Sequence, residues 1–105
     1  MQLREQIESI AERRDGNFTP ADRAVFDEFK HALNRGEVRA AQRNVDGVWL
    51  VHSWVKRGLL LGFRMGALSD MSEGSSFKFF DKDTYPARPT QMSENVRIVP
   101  GGSTI

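Results

Sequence analysis

Asp46-Gly47-Val48-Trp49-Leu50-Val51-His52-Ser53-Trp54-Val55-Lys56-Arg57-Gly58-Leu59-Leu60-Leu61-Gly62-Phe63-Arg64-Met65 is the stretch that decides the fold. It opens on Asp-Gly, a strong hairpin signal because the turn needs positive φ angles. Val38 to Arg43 and Val48 to Val51 are then the paired strands, joined through Asn44-Val45-Asp46-Gly47. From about Ser53 the period changes. Apolar groups go almost all the way around the segment to Met65, which predicts a central, mostly buried helix with Leu60 in it. Gly58 and Gly62 each cost about 1 kcal/mol relative to Ala inside a helix, and close approach of a neighbouring backbone is the expected reason. Arg57 and Arg64 are seven residues apart and share a face, while Lys56 lies about 100° away.

Upstream, Gln2 to Arg14 reads as an amphipathic helix, with Leu3, Ile7, Ile10 and Ala11 on one stripe. Glu5 near its start and Arg13-Arg14 at its end follow the helix dipole. Asp15-Gly16 stops it. Thr19-Pro20-Ala21-Asp22 opens a second helix: Thr19 suits the cap, Pro20 the first helical position and Asp22 the third. Its stripe is Val25, Phe29, Ala32 and Leu33, with Phe26 beside it, and Gly36 is placed to close it. Downstream, Ser69 to Ser76 reads as a polar loop and Phe77 to Lys82 as a short extended piece. Pro86 and Pro89 exclude regular structure from Tyr85 to Thr90. Val96-Arg97-Ile98-Val99-Pro100 is a strand-like run. A chain ending soon after such a run is expected to be cut from something longer. The fold class expected is α+β: helix, helix, hairpin, helix, extended segment.

The 105 residues suffice for one small domain. There is no cysteine, which removes disulfides and thiolate chemistry and fits a reducing compartment. No apolar signal run opens the chain, and no stretch approaches the roughly 18 apolar residues of a membrane span. A cytoplasmic protein with no membrane partner is expected. Net charge is +1, far from the footprint of a nucleic-acid binder, and no nucleic-acid partner is expected. Between Arg35 and Arg64 six basic residues face two acidic ones. A solvated basic face and attraction of a small anionic substrate both accommodate that excess.

No complete catalytic constellation is present. His31 and His52 lack a nucleophile and an orienting acid at recognisable spacing. His31 has no second ligand spaced to join it, so no metal site is expected. Gly58 and Gly62 lie within a helix and form no phosphate loop.

The run Asp46 to Arg57 follows the pattern D-G-x-W-x-x-H-x-W-[LV]-K-[KR], and Leu60-Leu61-Gly62-Phe63-Arg64 follows L-L-x-F-R. Glu12-Arg13-Arg14, Phe80-Asp81-Lys82 and Arg97-Ile98-Val99-Pro100 add E-R-R, F-D-K and R-[VI]-V-P in the same order. In these motifs the chain resembles the N-terminal domain of the tetrahydrodipicolinate N-succinyltransferases. Similarity is weak in the second helix and from Asp83 to Asn95.

The resemblance implies an acyltransferase that moves succinyl from succinyl-CoA, a co-substrate, to ring-opened tetrahydrodipicolinate, in lysine and diaminopimelate biosynthesis. It implies no resident cofactor, and a homotrimer whose left-handed parallel β-helices of hexapeptide repeats build the active sites. On this basis residues 1–95 are the N-terminal domain and 96–105 the start of the β-helix region, truncated before its coils. The 105-residue chain alone is expected to be inactive. Arg97 matches a substrate-binding arginine of the family, and a guanidinium suits a dicarboxylate. Arg64 and Lys82 are further substrate-binding candidates, with interdomain ion pairing as their other reading. His52 matches a motif position, where a helix-start role is expected; the catalytic residues stay unassigned. A free-standing, non-catalytic interaction domain of the same fold is the alternative.

Overall fold

The computed structural model describes residues 2–74 and 76–100. Two compact units divide the chain between Met65 and Gly66.

The first unit holds α1 (Leu3–Glu12), α2 (Pro20–Asn34), β1 (Ala41–Arg43), β2 (Trp49–Val51) and α3 (Ser53–Met65). Each helix buries one stripe against the other two. Ile7 and Ile10 of α1, Phe26, Phe29 and Ala32 of α2, and Trp54, Val55 and Leu61 of α3 make the core. The Phe29 ring sits 6.0 Å from Phe26 and 5.7 Å from Trp54 at tilted angles, the arrangement aromatic quadrupoles favour.

Thr19 begins α2 with a full capping box: its hydroxyl accepts from the Asp22 amide, and the Asp22 carboxylate accepts from the Thr19 amide. Arg13 pairs with the same carboxylate and ties the end of α1 to the start of α2. Gly36 follows α2 with φ +75°, and the amides of Glu37 and Val38 both donate to the Ala32 carbonyl. That closure takes Val38 out of the expected strand, so β1 begins only at Ala41.

β1 and β2 pair antiparallel in the register Ala41↔Val51, Gln42↔Leu50 and Arg43↔Trp49. The Asn44 side-chain oxygen accepts from the amides of Asp46 and Val48, and Gly47 takes φ +80°. The hairpin therefore forms where Asp-Gly predicts it.

Helix α3 departs from expectation on one side. Leu61 is buried, but Leu60 is 52% exposed and Phe63 51% exposed. The helix buries the face carrying Trp54, Val55, Gly58, Leu61 and Gly62 and leaves the Leu60 face open. It is amphipathic in space although nearly apolar all round in sequence.

The second unit begins at Gly66 and contains a second hairpin, β3 (Leu68–Asp70) with β4 (Phe80–Lys82), and a 3₁₀ turn at Met92–Glu94. Their register is Leu68↔Lys82, Ser69↔Asp81 and Asp70↔Phe80. The sequence predicts an extended piece only on the Phe80 side and a polar loop over Ser69 and Asp70; the structure pairs the two. Asp70 accepts from the Ser72 amide, and the Ser72 hydroxyl accepts from the Phe79 amide, so side chains close the connection. Val96 to Val99 form no strand. All four residues are exposed and no ladder reaches them among the described residues, since a β-prone run becomes a strand only where another edge receives its amides. Gly101 to Ile105, the rest of the expected β-helix start, lie outside the described residues. Among the described residues the core side chains all belong to the first unit, and in the second only Ser72 and Thr84 are buried.

Candidate functional site

Arg64 stands in the last turn of α3, where its guanidinium reaches the C-terminal end of α1. Nη2 donates to the Arg13 carbonyl at 3.0 Å and the Ala11 carbonyl at 3.4 Å. The last carbonyls of a helix lack intrahelical donors, and α1 has no basic residue of its own in its last turn. The same guanidinium lies 5.9 Å from the Phe18 ring centroid. Arg64 thus clamps the turn between the first two helices.

Two helical turns back, the Arg57 guanidinium meets the Glu8 carboxylate at 3.3 Å. Between these contacts runs a groove of about 490 Å³, walled by Glu8, Glu12 and Arg14 on the α1 side and Arg57 and Arg64 on the α3 side. Leu60, Leu61 and Phe63 supply its apolar lining. Arg57 and Arg64 do share a face, as their spacing predicts. Their partners on α1, and the opening of the groove over Leu60, were not legible because helical phase does not say which helix lies alongside.

Lys82 and Arg97 belong to the second unit. Lys82 ends β4, and its ammonium donates to the Gly66 carbonyl at 3.3 Å. Arg97 is exposed in the extended segment after the 3₁₀ turn. That turn is fixed by Glu94, whose carboxylate accepts from the Gln91 amide and pairs with Arg88. These contacts, the Gln91 amide first, hold the Glu94 carboxyl below its ordinary value. Asn95 then takes φ 58°, which turns the chain into the segment bearing Arg97.

A hollow of about 730 Å³ in the same unit is bordered by Met71, Phe79, Phe80, Asp81 and Tyr85, among others. Burial pushes the Tyr85 phenol above its ordinary value. Two residues of the Phe80-Asp81-Lys82 motif border this hollow, while the Lys82 ammonium is engaged by a backbone carbonyl.

His52 lies just before α3, and its carbonyl accepts from the Val55 amide at 3.0 Å, so its backbone helps begin the helix. His31 is exposed on α2. Among the described residues no three His, Asp or Glu side chains gather to hold a metal ion. No helix among them is long and apolar enough to cross a membrane.

The three-helix unit with its first hairpin coincides with a known domain. The family model described as tetrahydrodipicolinate N-succinyltransferase N-terminal matches residues 2–65, from the start of α1 to the end of α3. The chain belongs to this family. Curated relatives agree with the match. The chain is 34% identical to the 2,3,4,5-tetrahydropyridine-2,6-dicarboxylate N-succinyltransferase of Shewanella baltica, over 96% of this chain and 39% of that protein. It is 37% identical to the protein of that name from Idiomarina loihiensis, over 92% of this chain and 34% of the relative. A third, from Bartonella bacilliformis, is 31% identical over 96% of this chain and 39% of its own length. The chain spans about two-fifths of the length of the relatives it matches. The succinyltransferase N-terminal match ends at Met65, where the first compact unit also ends.

Proposed function

We propose that this chain serves as the N-terminal, substrate-holding and assembly domain of an acyltransferase that moves succinyl from succinyl-CoA to tetrahydrodipicolinate. The observation that carries the proposal is the agreement between the family match over residues 2–65 and the compact unit those residues form. The relatives' shared name, a tetrahydropyridine-2,6-dicarboxylate N-succinyltransferase, supports the group transferred and its acceptor; succinyl-CoA as donor and a place in lysine and diaminopimelate biosynthesis belong to the proposal. The working enzyme is a cytoplasmic homotrimer in this proposal, and its acyl-transfer machinery lies in a further β-helix region that begins at residue 96.

Arg97 is the residue we assign to the acceptor. It is exposed, whereas the guanidinium of Arg64 and the ammonium of Lys82 already donate to backbone carbonyls. A planar guanidinium on an extended segment suits one carboxylate of a dicarboxylate with two parallel hydrogen bonds. Arg64 and Lys82 then act at one remove, by fixing the elements that carry them.

Three measurements test this. In the full-length enzyme, Arg97→Ala raises the KM for the acceptor and leaves the KM for succinyl-CoA unchanged; an unaltered acceptor dependence overturns the assignment. The 105-residue chain, titrated calorimetrically with succinyl-CoA at physiological salt, shows no saturable binding. It also releases no thiol in the presence of the acceptor. Micromolar binding or acceptor-dependent release would place the acyl-transfer machinery within these residues. If the gene encoded only this chain and it remained inactive, the alternative of a free-standing interaction domain would replace the proposal.

A further inference from the structure

We propose that Glu94 and Asn95 are positioning residues, which set the direction in which the Arg97 guanidinium is presented to the acceptor; this rests on the assignment of Arg97 to an acceptor carboxylate. Two parallel hydrogen bonds from a guanidinium to a carboxylate demand a defined approach, so direction matters as much as charge. No hydrogen bond or ion pair among the described residues holds the Arg97 side chain. No ladder among them receives the exposed run Val96 to Val99 either. Where Arg97 points therefore depends on the backbone that leads into that run.

That backbone is fixed at two consecutive residues. Glu94 ends the 3₁₀ turn, and its carboxylate accepts from the Gln91 amide at 2.6 Å while pairing with Arg88. Arg88 is itself braced. Pro89 follows it with a ring-locked φ, and the Arg88 carbonyl accepts from the Thr90 amide at 2.9 Å. One carboxylate thus ties together the segment from Arg88 to Glu94. The Asn95 amide then donates to the Met92 carbonyl at 3.1 Å, and Asn95 takes φ 58° and ψ 33°. Glycine adopts this left-handed conformation freely, asparagine tolerates it, and a β-branched residue is excluded from it. Arg97 comes two residues later, so a change of hand at Asn95 swings its guanidinium away. A carboxylate repels a dicarboxylate, which means that Glu94 acts through the backbone and not on the acceptor itself.

Steady-state kinetics of the full-length enzyme, with each substrate varied in turn, test the two roles. Glu94→Ala raises the acceptor KM by about fivefold, the effect of losing one capping contact, and leaves the succinyl-CoA KM unchanged. Glu94→Gln keeps most of the affinity, because its amide oxygen still accepts from the Gln91 amide. Asn95→Gly leaves the acceptor KM near wild type, whereas Asn95→Val raises it. In the Arg97→Ala background neither Glu94→Ala nor Asn95→Val raises the acceptor KM further, since nothing remains to be positioned. A variant that merely unfolds lowers the active fraction and moves kcat alone. Should Glu94→Ala do so, the two Asn95 variants decide, because they leave the side-chain contacts of Glu94 in place. If Arg97→Ala raises the acceptor KM while Glu94→Ala and Asn95→Val do not, the positioning roles are overturned and the Arg97 assignment stands. Rises of equal size with and without Arg97 overturn them as well. An acceptor KM indifferent to Arg97→Ala overturns the assignment itself and the positioning roles with it.

Discussion

Gly58 sits where α3 crosses the core, and its missing side chain is a packing requirement. A Cβ built there would lie 2.6 Å and 2.8 Å from two atoms of the Phe29 ring and 3.1 Å from an Ile7 methyl. The sequence predicts close approach at this glycine but points to a neighbouring backbone; the structure presents an aromatic ring and a methyl instead. The ring is fully buried and has no free space into which to retreat. Gly58→Ala gains about 1 kcal/mol of helix propensity. Overpacking costs typically about 1–3 kcal/mol, and the fixed ring puts this site at the upper end. A net loss of about 1–2 kcal/mol is expected, read as a lowered urea midpoint. A midpoint at or above wild type would show that the Phe29 ring can move. Arg64 teaches a related lesson at the same scale: its residue type and motif position suggest an anion, while its hydrogen bonds go to the carbonyls ending another helix.

Among the elements, α3 separates what periodicity shows from what it hides. Leu59, Leu60 and Leu61 are chemically alike, and a helix apolar on nearly every side does not declare its buried face. The structure buries Leu61 to 1% exposure and leaves Leu60 at 52%. Leu61→Ala is expected to cost about 2–5 kcal/mol, as truncation of a buried leucine does. Leu60→Ala should cost under about 1 kcal/mol. Equal losses in denaturant titration would place both side chains in the core and refute this helical phase.

The start of α2 was fully legible, because a capping box is local chemistry written in Thr19, Pro20 and Asp22. The Thr19 amide, followed by Arg13, holds the Asp22 carboxyl below its ordinary value. A depressed folded-state value stabilises the fold above the unfolded value, about 3.8 for the free side chain, and that stability is lost as pH falls through the folded one. Asp22→Asn should therefore lower stability at neutral pH, and the gap from wild type should close on acidification below about pH 4. A gap that persists unchanged into strong acid would mean that the carboxylate's charge is not what stabilises the cap.

At the scale of the whole molecule, the described apolar core belongs to one unit, and two of the helices supplying it flank the first hairpin in sequence. In the second unit, three-residue strands and side-chain-to-backbone bonds hold the chain, and none of its described large apolar side chains is buried. Two-stranded hairpins are marginal by themselves in water, and local opening is easiest where few apolar contacts resist it. Hydrogen exchange should accordingly protect amides of α1, α2 and α3 strongly, while those of β3 and β4 exchange orders of magnitude faster. Equal protection across Met65 and Gly66 would show a single cooperative unit.

The sequence by itself determined the three helices, the first turn and the family. Stripes, caps and Asp-Gly act over a few residues, and ordered motifs need no coordinates to be recognised. Tertiary structure alone decided which side of α3 is buried and which carbonyls Arg64 holds. It also decided that Leu68 to Asp70 would find Phe80 to Lys82 while Val96 to Val99 stayed unpaired among the described residues. Each of those outcomes depends on a neighbour distant in the chain, and an apolar face or a strand edge is defined only by what comes to lie against it.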